Sequence, residues 1–173
     1  MLDPTLSTDP FRMIRTALYA GSFDPVTRGH EDVIQRSLSF ADRLVVAVAT
    51  NVTKQPLLSV EERMRLIRAA VGEEARVEVH QFDGLLVDFA RQVGATMTIR
   101  GLRAVSDFEY EYQMALMNRH LMPELETLFM VPALDRTYIS SSLVREIARF
   151  DGDISELVHP QVEQALRDRY AQA

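Results

Sequence analysis

The sequence predicts a single-domain α/β fold in which a parallel five-stranded sheet carries helices on both faces. The chain has 173 residues, a length that fits one domain with its own core. Short apolar runs alternate with segments whose apolar residues recur at helical spacing. Because a helix separates each strand from the next, the strands are expected to pair in parallel through right-handed crossovers.

The predicted elements follow one another along the chain in strict alternation until the last strand. Strands are expected at 16–20, 43–49, 76–81, 95–99 and 125–131. Helices are expected at 31–40, 60–71, 85–93, 107–121 and 140–150, with a final helix near 160–170. Two helix starts read as capping boxes, Ser59 with Glu62 and Ser106 with Glu109, because hydroxyl and carboxylate can satisfy free backbone donors reciprocally.

The first fifteen residues differ from the rest of the chain. They lack a basic start followed by an apolar stretch, so they do not resemble a secretory signal. We expect residues 1–15 to form a flexible N-terminal extension, with Met13 as an alternative start, and residues 16–173 to form the folded domain. The apolar runs are shorter than the roughly 20 residues that cross a bilayer as a helix, so no membrane association is predicted.

Composition and charge exclude several classes of function. The chain has no cysteine, which rules out disulfides and thiolate zinc sites and is compatible with a reducing cytoplasm. A formal net charge of -6 argues against binding to nucleic acid. Several cations nevertheless fall in the segments that follow predicted strands, which favours a small anionic ligand; they are Lys54, Arg100, Arg103, Arg136 and Arg145.

Chemistry is expected beyond the carboxyl ends of the strands, where loops and helix N-termini converge. Neither the phosphate-binding pattern GxxxxGK[ST] nor the dinucleotide pattern GxGxxG is present. The segment 27–30, Thr-Arg-Gly-His, instead opens a predicted helix, where His30 can donate a hydrogen bond to a phosphate oxygen. The alternative is that His30 is simply a polar residue near a helix start.

A second segment, 139–145, reads Ile-Ser-Ser-Ser-Leu-Val-Arg. It places three hydroxyls and free N–H groups at a helix N-terminus, with Arg145 one turn further in, which suits a polyphosphate. Helix capping by serine is the alternative, and it explains one hydroxyl better than three.

Taken together, these two segments resemble the nucleotidyltransferase superfamily of the HxGH type. Further segments resemble bacterial phosphopantetheine adenylyltransferases, namely 21–25 (GSFDP), 100–103 (RGLR), 107–111 (DFEYE) and 118–125 (NRHLMPEL). The similarity runs from about Ala17 to the last helix. It implies a Rossmann-like nucleotidyltransferase domain over 16–173.

The resemblance implies transfer of AMP from ATP to 4′-phosphopantetheine, giving dephospho-CoA and pyrophosphate by in-line attack. His30 would stabilise the transition state, and Ser22 would contact both phosphates. The acceptor would be held by Ser22, Lys54, Leu86 and Arg100. ATP would be held by Ser22, Phe23, His30, Gly101, Leu102, Arg103, Glu111, Arg136, Thr137, Tyr138, Ile139, Ser140, Ser141 and Ser142.

Cofactor and partners follow from the same resemblance. Mg²⁺ is expected to bind mainly through the ATP phosphates, since the four histidines are scattered and no protein metal site is predicted. The family implies a homohexamer built as a dimer of trimers, which would use apolar surface of the helix at 107–121. Coenzyme A is a candidate feedback inhibitor, and the cytoplasm is the expected location.

Two other functions compete with this interpretation. Nicotinamide-mononucleotide adenylyltransferases and glycerol-phosphate cytidylyltransferases share the phosphate-binding segments, and they differ in the acceptor. A regulatory module that binds nucleotide without turnover is the other alternative, which the presence of His30, Lys54, Arg100 and Arg103 disfavours.

Overall fold

The computed structural model describes residues 14–50, 56–103, 105–136 and 138–171, apart from the side chains of 105–107. Five strands form one sheet in which every pair is parallel. The strands are β1 (Thr16–Gly21), β2 (Arg43–Ala49), β3 (Val77–Phe82), β4 (Met97–Gly101) and β5 (Glu126–Met130). Their spatial order is β3-β2-β1-β4-β5. The predicted parallel five-stranded sheet is therefore confirmed.

Six helices accompany the sheet over the same residues. They are α1 (Arg28–Ser37), α2 (Val60–Val71), α3 (Leu86–Val93), α4 (Val105–Leu121), α5 (Ser141–Arg149) and α6 (Pro160–Ala171). The predicted bounds agree with these to within three residues, and α2 agrees at both ends. Agreement is close because most of these helices bury an apolar stripe whose spacing is visible in the sequence, although α4 leaves many of its apolar side chains exposed.

Two apolar cores lie on the two faces of the sheet. Alternate side chains of β1 separate between them, with Ala17 and Tyr19 in one core and Leu18 and Ala20 in the other. The first core receives residues from α1, α2, α5 and α6, and the second receives residues from α3 and from the connection between α4 and β5. Helices therefore cover both faces, as the sequence predicts.

The strand order reverses direction beside β1. The chain runs outward through β2 to β3, and then crosses back to place β4 on the other side of β1. In open parallel sheets ligands bind at the carboxyl ends of the strands at such a switch point. The carboxyl ends of β1 and β4 are therefore the expected centre of the functional site.

The two predicted capping boxes have different outcomes. Ser59 caps α2 as predicted, since its N–H donates to Glu62 Oε2 at 2.7 Å and its Oγ accepts from the Glu62 N–H at 3.2 Å. Helix α4 already includes Val105, so Ser106 lies in its first turn and does not precede it. The prediction that Ser106 is the N-cap is therefore wrong by at least one residue, and its side chain lies outside the described set.

The described chain begins just before the sheet. Arg15 donates from its backbone N–H to Asp42 Oδ2 at 2.9 Å, and its carbonyl accepts from the N–H of Asp42. These bonds attach Arg15 to the start of β2. Within the described ranges, no helix combines the length and the apolar character that crossing a membrane requires.

Candidate active site

The loop after β1 turns sharply so that neighbouring residues face opposite ways. Phe23 has a φ of 47°, a left-handed conformation that non-glycine residues rarely adopt. Its ring is buried and packs edge-on against Tyr19 at 5.4 Å and His30 at 5.1 Å between centroids. A Cβ on Gly21 would lie 3.2 Å from that ring. Glycine and the buried ring together shape a turn that leaves Ser22 exposed at the rim.

Asp24 ties this loop to two other segments. Its buried carboxylate accepts from the backbone N–H groups of Leu57 and Leu58, both at 2.9 Å. Arg145 of α5 donates to the Asp24 carbonyl and lies 3.3 Å from Oδ2. Arg145, which the sequence associates with polyphosphate, thus binds Asp24 through its guanidinium. It does not line the cavity described below.

His30 is held in one orientation at the start of α1. The Thr27 backbone N–H donates to His30 Nδ1 at 3.0 Å, and Thr27 Oγ1 lies at the same distance from that nitrogen. Because Nδ1 accepts, the neutral ring carries its proton on Nε2, on the opposite side of the imidazole. The polar helix-start role of His30 and a role as donor to a ligand are therefore compatible, since each uses a different nitrogen.

The charge state of His30 follows from its surroundings. Burial, together with the positive charge of Arg103, lowers the pKa of the imidazole to about 4. At neutral pH the ring is uncharged, so Nε2–H is a neutral hydrogen-bond donor. A donor of this kind can stabilise developing negative charge without losing its proton.

The end of β4 presents Arg100 beneath the rim. Its Nε and Nη2 donate to the two carboxylate oxygens of Glu111 at 2.6 and 2.7 Å, and Nη1 donates to the Ala20 carbonyl at 2.7 Å. Burial lowers the pKa of Arg100, but hydrogen bonding and charge from Glu111 outweigh it and leave the pKa above its ordinary value. Arg100 is a fixed cation whose remaining N–H groups can face a ligand.

The three serines at the start of α5 do different things. Ser140 is the N-cap, and its Oγ accepts from the Leu143 N–H at 3.1 Å. Ser141 donates to the Pro25 carbonyl at 2.8 Å, which joins the helix start to the loop after β1. Ser142 Oγ accepts from Arg145 at 3.4 Å. One serine therefore fills the capping role that the alternative interpretation assigned, and another, Ser141, joins the two segments.

These segments enclose a cavity of about 300 Å³, which we call the nucleotide cavity after the ligand that the resemblance implies for it. Its lining is rich in hydrogen-bond donors and includes the rings of Tyr19 and His30. The predicted site residues that line it are Ser22, Phe23, His30, Arg100, Gly101, Arg103, Arg136, Ile139, Ser140, Ser141 and Ser142. Groups up to 120 positions apart in the chain thus meet at one edge of the sheet, as the sequence interpretation required.

A second, more apolar cavity of about 460 Å³ adjoins the first, and we call it the acceptor cavity after the substrate that the resemblance implies for it. It lies between the loop after β3, the start of α3 and the face of α4. Four predicted residues line it, namely Ser22, Leu86, Arg100 and Glu111. Ser22 and Arg100 belong to both cavities, so they mark where the contents of the two would meet.

Four predicted site residues stand apart from the cavities or from the described residues. Leu102 lines neither cavity, and its N–H extends the sheet by donating to the Met130 carbonyl at 2.8 Å. Tyr138 is 64% exposed and lines neither. Lys54 and Thr137 lie outside the described residues, so the structure says nothing of their positions.

Sequence reasoning missed several residues that contribute to the cavities. Tyr19 lines the nucleotide cavity, and burial raises the pKa of its hydroxyl well above the ordinary value. Asn118 lines the acceptor cavity although only 6% of it is exposed. Tyr110, Met114 and Met117 line it too, and none of them was among the predicted site residues. Their apolar character was visible, but nothing in it distinguishes a cavity wall from a core.

Comparison with known proteins agrees with this geometry. The cytidylyltransferase-like family model matches residues 18–147. A curated phosphopantetheine adenylyltransferase of Anaeromyxobacter dehalogenans (strain 2CP-C) is 55% identical over 155 residues, covering 90% of this chain and 94% of the relative. A second curated phosphopantetheine adenylyltransferase, from Anaeromyxobacter sp. (strain K), is 54% identical with the same coverage of both chains.

A solved structure shares the fold at much lower sequence identity. The protein, from Vibrio parahaemolyticus, is provisionally described as a nicotinate-nucleotide adenylyltransferase. It aligns with a TM-score of 0.67 at 18% identity, covering 93% of this chain and 98% of that one. This likeness confirms the Rossmann-like architecture, while the curated relatives and the matched segments identify the chain as a member of the phosphopantetheine adenylyltransferase family of nucleotidyltransferases.

Proposed function

We propose that this enzyme transfers the AMP unit of ATP to 4′-phosphopantetheine, releasing pyrophosphate and dephospho-CoA. The observation that carries the proposal is the junction of the two cavities at Ser22 and Arg100. One cavity is lined by hydrogen-bond donors suited to a nucleoside triphosphate. The other is mostly apolar and suited to the extended arm of phosphopantetheine. A phosphate on that arm would reach the nucleotide at the shared residues.

The nucleotide cavity matches the charge of its proposed ligand. Arg100, Arg103 and Arg136 line it, and none of its described lining residues is a carboxylate. Hydroxyls and free N–H groups at the start of α5 add further donors, and helix N-termini favour anions. This supports binding of a triphosphate despite the chain's net charge of -6.

The acceptor cavity suits a narrow chain that is mostly apolar with a few amide groups. Leu86 and Met117 provide apolar walls, and Asn118 provides a nearly buried amide that can both donate and accept. A polar group of this kind in an apolar wall fixes the orientation of a ligand. Phosphopantetheine carries two amides along its arm, so its chemistry matches this lining.

The proposed chemistry needs no base from the protein. A phosphate monoester has a second pKa near 6, so the attacking oxygen is already anionic at neutral pH. The enzyme supplies position and charge, because Arg100 and Ser22 hold the acceptor phosphate near the α-phosphate of ATP. The cationic side chains offset the repulsion between these two anionic phosphates. Lys54, expected from the resemblance to share this role, is a further proposed cation.

His30 is the proposed transition-state stabiliser. Its Nδ1 is occupied by the Thr27 N–H, so Nε2–H is the donor that faces the α-phosphate oxygen on which charge builds. The in-line displacement forms the new P–O bond to the acceptor and breaks the bond to pyrophosphate. His30 keeps its proton throughout.

Mg²⁺ is proposed to enter with ATP. Among the described residues no group of three or more His, Asp or Glu side chains is placed to hold a metal ion. The metal would then be bound by phosphate oxygens and water, which suits the coordination that Mg²⁺ prefers. When bound it neutralises charge on the triphosphate.

Assembly, regulation and location are also proposals. Helix α4 and β5 expose apolar side chains of kinds that subunit contacts bury, including Tyr112, Leu116 and Leu128. We propose a homohexamer, a dimer of trimers, which light scattering would test; a monomer would remove it. Coenzyme A, which contains both substrate halves, is proposed to compete at the two cavities, and the enzyme is placed in the cytoplasm.

Pyrophosphate release in the presence of Mg²⁺ tests the reaction directly. We expect turnover with ATP and 4′-phosphopantetheine, and little with nicotinate mononucleotide, nicotinamide mononucleotide, or glycerol 3-phosphate and CTP. A better rate with one of the other acceptors would replace the proposed substrate. Nucleotide binding without turnover on any acceptor would instead indicate a regulatory module.

A further inference from the structure

Arg63 is a buried cation that the proposed chemistry does not use. It lies on α2, one turn after the cap, and is 1% exposed, which makes it the largest fully buried side chain in the described chain. Burial of a charge costs free energy unless close partners compensate. Its neighbours on the inward side of α2 are Leu66 and Ile67, so an apolar residue would suit the helix better.

The partners of Arg63 are backbone carbonyl groups. Its Nη1 donates to the Ser22 carbonyl at 2.7 Å and to the Ala49 carbonyl at 3.2 Å, and Nε lies 3.4 Å from the Ser59 carbonyl. Within the described ranges Nη2 is buried without a hydrogen-bond partner. A guanidinium that leaves a donor unsatisfied is poorly placed for stability, so its contacts to carbonyls need another explanation.

Those carbonyls lie where the site is assembled. Ser22 follows β1 and lines both cavities, and Ala49 is the last residue of β2 and lines the acceptor cavity. Between Ala49 and the Asp24-bound residue Leu57 runs the segment of sequence that contains Lys54. One guanidinium thus holds the loop after β1 against the end of β2.

We propose that Arg63 is a positioning residue for nucleotidyl transfer, which orients Ser22 by holding its carbonyl and fixes the loop after β1 against the end of β2. The inference rests on the proposed function, because it assigns Ser22 to the phosphates. Fixing the Ser22 carbonyl fixes the peptide plane between Ser22 and Phe23, and with it the position of the Ser22 Cα from which the hydroxyl-bearing side chain extends. Both carbonyls are held by one nitrogen, Nη1, whose two N–H groups lie in the fixed plane of the guanidinium, whereas a lysine ammonium is a point charge on a flexible stem.

Turnover and stability of Arg63→Met and Arg63→Lys test the proposal. Arg63→Met keeps length and apolar packing while removing the donors; we expect kcat to fall roughly 10- to 100-fold, as misplacement near 1 Å does. Its melting temperature should fall by only a few degrees, because removing the buried charge relieves its desolvation cost and offsets the loss of two hydrogen bonds to carbonyls. Arg63→Lys should recover part of the rate. Arg65→Met, an exposed arginine on the same helix, is the matched control and should behave as wild type.

A double-mutant cycle with Ser22→Ala separates positioning from general disruption. If Arg63 acts through Ser22, adding Arg63→Met to Ser22→Ala should cost less than about threefold, because coupled residues are not additive. The proposal would be overturned if Arg63→Met lowered kcat by the same factor in the wild type and in Ser22→Ala. A wild-type kcat in Arg63→Met would also overturn it. Should Arg63→Met not fold, Arg63→Lys carries the same cycle with the same criteria.

A crystallographic readout keeps this inference separate from the proposed function. Wild-type enzyme without turnover on any acceptor would end the proposed function. Crystal structures of wild type and Arg63→Met would still decide the positioning role, since displacement of the Ser22 carbonyl by about 1 Å or more supports it. An unmoved Ser22 would overturn it whatever the activity.

Discussion

Replacing His30 by alanine tests the centre of the proposed mechanism. The substitution removes one neutral donor, Nε2–H, whose orientation is set by the Thr27 N–H at 3.0 Å. Because the pKa of the imidazole is lowered to about 4, the donor is present and uncharged across the neutral range. The rate effect should therefore be that of losing one preorganised donor to developing charge.

The expected magnitude follows from donors of this kind in other enzymes. Loss of a single oxyanion donor costs about 10²–10³ in kcat, or about 2.7–4 kcal/mol of transition-state stabilisation. KM for ATP should change much less, because the donor acts mainly in the transition state. We expect the His30→Ala enzyme to bind both substrates nearly normally and to turn over slowly.

Steady-state pyrophosphate release measures kcat and KM, and calorimetry measures the binding of ATP. His80→Ala is the matched control, because His80 is a half-exposed histidine on β3 that pairs with Glu78 and lines neither site cavity. Near wild-type kcat in His30→Ala would refute the reasoning. So would a loss that appeared only in KM, since it would show a ground-state contact.

Three further substitutions have defined outcomes. His30→Gln should remove an acid sensitivity: the folded pKa of about 4 lies below the ordinary 6.5, so the unfolded chain binds the proton first and stability falls as pH drops between these values. The free energy of unfolding, measured by urea titration, should fall between pH 7.5 and pH 4.5 in the wild type by up to about 3 kcal/mol more than in the variant, at about 1.4 kcal/mol per pKa unit. Equal falls in the two proteins would contradict this. Glu111→Gln breaks the bidentate pair with Arg100 and should cost about 1.5–3 kcal/mol in urea unfolding while raising KM for the acceptor several-fold, whereas an unchanged KM would argue against Arg100 as the acceptor's cation. Asp24→Asn weakens the bonds to Leu57, Leu58 and Arg145 and should cost about 2–4 kcal/mol by the same method; wild-type stability would show that Asp24 does not join these segments.

The local elements could be read from the sequence because their causes are local. The apolar run of β2 and the Ser59 cap of α2 each follow from residues within a few positions of one another. The resemblance then assigned His30, Arg100 and Ser141 to one site, and the structure places all three in the lining of the nucleotide cavity. The start of α4 was missed by a residue or two, since a capping pattern fits neighbouring registers equally well.

Pairing between distant groups could not be read from the sequence. The resemblance assigns Glu111 to the nucleotide, which stays a prediction, and it gave no sign that the Glu111 carboxylate holds Arg100. Arg145 was associated with polyphosphate, and its guanidinium instead binds Asp24. Each side chain is a plausible ligand contact in one dimension, and only folding decides which partner lies within hydrogen-bond distance.

The α/β alternation, the family and part of the lining of the two cavities could be predicted from the sequence. Folding was needed to show that the nucleotide and acceptor cavities meet at Ser22 and Arg100, that Nδ1 of His30 is occupied, and that Arg63 is buried beneath the site. This division arises because periodicity and capping depend on neighbours in the chain. Burial, pKa and hydrogen-bond partners depend on neighbours in space, which the strand order brings together.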